Sequence, residues 1–150
     1  MVMTTHTYRT ALSWSGSTGD YDSYDRTHEM KIGAAPLAVS ADAAFRGDPE
    51  LANPEQLLVA AASSCQLLSF LAVAALSGVE VVRYRDNAEG VLPEAERPLR
   101  LARILLRPRI VVRGATADRV ERLLHKAHRQ CYIANSLTSE ITLEPSIEVR

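Results

Sequence analysis

Cys65 and Cys131 are the only two thiols in this 150-residue chain, and both fall in apolar, helix-like surroundings. A thiolate is a nucleophile, a metal ligand and a reversible redox group, so three chemistries are open to them. The metal reading is the weakest. Neither cysteine belongs to a close C-x₂-C pair, and His125 and His128, the nearest possible co-ligands of Cys131, occupy a basic, solvent-leaning helix face. Two single thiols carried toward a shared core can also touch and form a reversible disulfide. On spacing alone, however, two inert core thiols come first, because free cysteine is so often a small buried hydrophobe. Pattern alone also places two charged residues, Glu55 and Arg26. Glu55 falls in a helix first turn, where negative charge is favoured in any case. Arg26 shares the inward-leaning phase of a strand with His28, Met30 and Ile32, although an arginine there can equally be an exposed strand charge.

The elements that position these residues are marked in the sequence. Residues 8–14 and 26–32 alternate as strands, separated by the turn-rich "SGSTGDYDSYD". "AFRGDPELANPEQ" reads as a loop into a long helix, with Asn53 as N-cap, Pro54 in the first helical position and Gly78 as the stop. Residues 79–84 and 101–112 read as two further strands, with the region 90–98 connecting them. A second helix is capped at Thr116 and carries one apolar stripe, Val120, Leu123, Leu124 and Ala127. Cys131, eleven residues after Val120, continues that stripe with a rotation of about 20°. Ile141, Leu143, Ile147 and Val149 form a closing strand around Pro145. The order predicts an α+β fold in one domain, residues 1–150.

Composition excludes more than it selects. The hydrophobic fraction of 47% and charged fraction of 23% are ordinary for a globular protein, and a net charge of −1 points to neither nucleic acid nor membrane. Residues 56–79 carry no Asp, Glu, Lys or Arg and are long enough to span a bilayer. Alanines, serines and the absence of flanking basic residues instead favour a helix buried inside the fold or between subunits. "RPLRLARILLRPRIVVR" holds six arginines and no acid. Alternation places Arg103, Arg107, Arg109 and Arg113 on one solvated strand face, without the aromatics that stack nucleic-acid bases. Two cysteines are too few for a disulfide-stapled secreted scaffold, and the N-terminus lacks a signal-like apolar core, so a reducing, cytoplasmic setting is expected.

The run "NPEQLLVAAASSCQLLSFLAVAALSGV", followed by "AHRQCYIANSL" and a final strand, resembles the OsmC/Ohr family (osmotically inducible protein C and organic hydroperoxide resistance protein). "YDRTHE", "FRGDPELANPEQL", "VVRYRDNAEG" and "LRPRIVV" extend the resemblance over nearly the whole chain. It implies antiparallel sheets wrapped around a long central buried helix, in an intertwined homodimer. It also implies a thiol peroxidase acting on organic hydroperoxides, with no cofactor or metal. Carried over, Cys65 is the peroxidatic residue and Cys131 the resolving one, joined as a disulfide during turnover and restored by a dithiol such as a lipoyl group. Glu55 and an arginine, Arg26 with Arg46 as fallback, support the thiolate. Many relatives carry His after the first cysteine, where this chain has Gln66.

Helix geometry adds an expectation. Ten residues place Glu55 about 15 Å along the axis from Cys65. Either the helix breaks between them or Glu55 serves the Cys65 of a second subunit. The alternative to an enzyme is a non-catalytic small-molecule binder whose cysteines are merely buried.

Overall fold

A computed structural model describes residues 1–150. Nine strands and three α-helices follow in the order β1 (Ala11–Ser13), β2 (His28–Ile32), β3 (Ala35–Val39), α1 (Pro54–Leu76), β4 (Glu80–Arg85), β5 (Glu89–Val91), β6 (Arg103–Leu106), β7 (Arg109–Arg113), α2 (Ala117–Arg129), α3 (Tyr132–Ser136), β8 (Glu140–Leu143) and β9 (Ser146–Val149). The fold is α+β. The chain forms two compact units, Met1–Pro54 and Glu55–Arg150.

The first unit is an antiparallel meander, β1-β2-β3. Its register aligns Leu12, Met30 and Leu37 in one apolar row, yet Leu12 is 66% exposed and Met30 and Leu37 are only half-buried. Strand β3, inside what reads as the approach to the loop, carries no strong alternation; pairing with β2 creates it. Arg26 lies two residues before β2 rather than within it, so its inward strand phase does not apply.

The second unit is built on α1. Its start at Pro54 and the positive φ of Gly78 match the sequence reading, and the end is closed by Val79 N–H donating to the Ala74 carbonyl at 2.9 Å. One core packs Phe70, Val73 and Ala74 of α1 against Val120, Leu124 and Ala127 of α2 and against Val79, Ile110 and Val112. A smaller one gathers Ala62 with Ile104 and Leu106, and Ile133 and Leu137 pack on it. Gly90 of β5 lets the sheet approach α1, since a Cβ there would meet the Val59 side chain at 2.5 Å.

The sheets of this unit are mixed, not wholly antiparallel. β4-β7-β9 and β5-β6-β8 each contain one antiparallel and one parallel pair. The single strand expected over residues 101–112 divides at Arg107–Pro108 into β6 and β7, and the closing strand divides at Glu144–Pro145 into β8 and β9. Proline lacks the N–H a ladder needs, so the paired strands bend together there. Pairing persists through the bend: Glu144 N–H donates to the Leu106 carbonyl and Ser146 N–H to that of Pro108. The connection through α2 makes both pairs parallel.

Candidate functional site

Cys65 sits midway along α1, which is helical without interruption from Pro54 to Leu76. Two residues earlier, the Ser63 hydroxyl donates to Asp86, whose other carboxylate oxygen accepts the Arg107 N–H at 2.7 Å. Asp86 thereby ties α1 to the start of the bend before β7. One residue later, Gln66 is fully buried and both ends of its amide are used. Its Nε2 donates to the Leu124 carbonyl at 3.3 Å, so its Oε1 faces His128 Nδ1 at 3.3 Å and that nitrogen carries the proton. Burial, then the charges of His125 and Arg129, hold His128 below the usual imidazole range.

Cys131 does not continue α2. That helix ends at Arg129 with Gln130 as its cap, and Cys131 turns to extended backbone and becomes the N-cap of α3. It is 1% exposed, so the inward placement holds although the helix assignment does not. Its Sγ accepts from Ala134 N–H at 3.5 Å. Ile133 packs on the smaller core, which fixes the first turn of α3 over Cys65.

The two thiols are free and close enough for each to act on the other's ionisation. Burial pushes the Cys65 thiol up, but donation from Ile133 N–H, the Cys131 thiol, Tyr132 N–H and the Ser69 hydroxyl outweighs it and holds Cys65 below the ordinary thiol range. Burial pushes Cys131 up; Ala134 N–H opposes this, while its role as donor to Cys65 and the charge on Cys65 add to it. The pair therefore ionises at Cys65 first. The arrangement suits a thiolate nucleophile with a second thiol waiting beside it.

Glu55, on the first turn of the same unbroken helix, is about 15 Å from Cys65 along the axis. Its Oε2 is buried and makes no hydrogen bond. In the first unit, Arg26 donates to the Tyr24 and Tyr21 carbonyls at 2.6 and 2.8 Å, and its guanidinium lies 3.7 Å from the Tyr24 ring centre. It pairs with no carboxylate. Arg46 is instead committed to Asp22 at 3.0 Å. His125 is exposed and leans toward Glu121, His128 is half-buried against Gln66 rather than solvent-facing, and no three His, Cys, Asp or Glu side chains converge as a metal set. Gln66 bridges the cysteine-bearing parts of the fold, a role that no spacing rule reveals.

The family model for OsmC-like protein matches residues 47–146. The chain belongs to the OsmC-like family. An OsmC-like protein of unknown function from Vibrio cholerae O1 biovar eltor superimposes with a TM-score of 0.85 at 28% identity, covering 95% of this chain and all of that one. An organic hydroperoxide resistance protein from Elizabethkingia anophelis shares the fold at 18% identity and a TM-score of 0.68, over 97% of this chain and 99% of the other. The uncharacterized protein YmaD of Bacillus subtilis (strain 168) is 23% identical over 99% of this chain and 97% of its own length.

Proposed function

We propose that this OsmC-like chain is a cysteine-based peroxidase that reduces organic hydroperoxides, with hydrogen peroxide as a smaller substrate of the same kind. The observation that carries this reading is the nearness of Cys65 and Cys131, with Cys65 the more easily ionised. The Cys65 thiolate attacks the terminal peroxide oxygen and the O–O bond breaks. The alkoxide leaves, takes up a proton as the alcohol, and Cys65 becomes a sulfenic acid. The Cys131 thiol gives up its proton, its sulfur attacks Cys65, and water departs as the disulfide forms. A small dithiol of the lipoyl class returns both thiols by exchange. Glu55 supports the thiolate, with Arg26 as its companion charge once it leaves the Tyr21 and Tyr24 carbonyls that hold it within one chain. Because Glu55 cannot reach the sulfur on its own helix, the working unit is a homodimer in which it serves the second copy. Free thiols fit a reducing, cytoplasmic setting.

Intact mass before and after one equivalent of cumene hydroperoxide tests the reading. Wild type should lose two hydrogens, Cys131→Ser should accumulate a dimedone-reactive sulfenic acid, and Cys65→Ser should stay unchanged. A wild type inert for minutes would sink it and leave a small-molecule binder with buried thiols.

A further inference from the structure

The arginine-rich run divides once its partners are known. Arg103 pairs with Glu96, Arg107 with Glu89 and Glu144, and Arg113 with Glu80. Arg109 has no carboxylate partner. Its register neighbour on β4 is Arg85 and its neighbour on β9 is Ser146, so one row across three strands reads Arg85, Arg109, Ser146. The adjacent row on the same face reads Arg83, Val111, Glu148. A β-bulge between Val81 and Arg83 sets this phase, while Tyr84, Ile110 and Ile147 on the opposite face pack on the core.

Two like charges directly opposite on neighbouring strands are destabilising. Here neither guanidinium is relieved by an ion pair. These residues line a cleft of about 250 Å³, with Arg83, Ile110, Val111 and Glu148 completing the wall. Glu148 is the one carboxylate present, and it is held by Arg150 at 2.7 Å. Cross-strand neighbours have Cβ atoms roughly 5 Å apart, close enough for two planar guanidinium forks to grip one tetrahedral oxyanion. The Ser146 hydroxyl supplies a neutral donor beside them.

We propose that Arg85, Arg109 and Ser146 form a binding site for a phosphate group, free or carried by a small monoester. It is separate from the cysteine chemistry and stands whether or not the chain is a peroxidase. The cleft is sized for a single small group. Flanking ion pairs close off the rest of the face, so a nucleic-acid backbone, which needs a continued basic track, fits less well.

Thermal unfolding of the full chain in inorganic phosphate, in glycerol phosphate and in sodium chloride, all at one ionic strength, tests the site. Phosphate or its ester should raise the wild-type Tm above the chloride value. Arg85→Gln and Arg109→Gln should each lose that rise, while Arg113→Gln keeps it. Without phosphate, the two variants should melt no lower than wild type, since each removes one repelling charge. Equal shifts in all four proteins, or a chloride effect equal to that of phosphate, would overturn the proposal. So would tight, steeply salt-dependent binding of a single-stranded oligonucleotide without any response to phosphate.

Discussion

Four groups favour the Cys65 thiolate, two of them backbone amides at the start of α3 and one the thiol it would later join. Removing a donor to the charged form raises the pKa of the group it served. Cys131→Ala should therefore move the ionisation of Cys65 upward, whereas Cys131→Ser, which keeps an O–H in place, should move it less. Alkylation by iodoacetamide read against pH checks this, because the rate tracks the thiolate fraction and levels off above the pKa of Cys65. In wild type the midpoint of that profile should lie below the ordinary thiol value of 9.0. An identical profile in all three proteins would show that Cys131 does not donate. Both cysteines could be placed facing inward from the sequence, through the apolar patterns around them. Their nearness could not, because it depends on where Ile133 seats α3, a long-range packing event without a local signature.

Secondary structure was most legible where termination is encoded by special residues. Asn53 and Pro54 mark the start of α1, Gly78 marks its end, and Thr116 caps α2 by accepting from Arg119 N–H. The end of α2 was hidden, since Gln130 stops the helix without glycine or proline and a stripe extended by one more turn still points Cys131 inward. The breaks at Pro108 and Pro145 were visible as residues but not as sheet boundaries, because an edge proline and a bend look alike until the partner strand is known. Gln66 links these elements, joining the turn after Cys65 to the last turn of α2 by its bonds to Leu124 and His128. Gln66→Leu keeps the volume but removes the acceptor of the half-buried His128 N–H and the donor to the Leu124 carbonyl. It should cost about 1–3 kcal/mol of unfolding free energy. Urea denaturation measures this, and an unchanged midpoint would mean that packing alone joins the helices. The same variant should slow disulfide closure more than the first oxidation of Cys65, as the segment leading into Cys131 loosens.

At the scale of the whole molecule, helix α1, uncharged beyond Glu55, leaves much of its apolar surface uncovered. Its segment Pro54–Leu76 is long and apolar enough to cross a membrane by length and composition. Its exposed stripe, however, runs through Gln56, Ala60, Ser64, Leu68, Ala72 and Ala75 at near four-residue spacing, with Leu71 beside it. Small residues interleaved with leucine at that spacing suit close packing of one helix on another better than contact with lipid. Leu68 is 63% exposed, and so is Leu12 of the β1, β2 and β3 row, at 66%. A second copy of the chain would cover such faces and could supply the partner that the buried Glu55 Oε2 lacks. The proposed exchange of Glu55 between copies can be separated from mere dimerisation by complementation. Cys65→Ser and Glu55→Gln homodimers should each reduce cumene hydroperoxide poorly. A purified heterodimer of the two variants contains one intact Cys65 facing one intact Glu55 only if the carboxylate acts across the interface. By two-fold symmetry it should recover about half of the wild-type rate. If Glu55 acts within its own chain, the only reactive Cys65 still lies on the chain whose carboxylate has been replaced by an amide, and mixing the variants restores nothing.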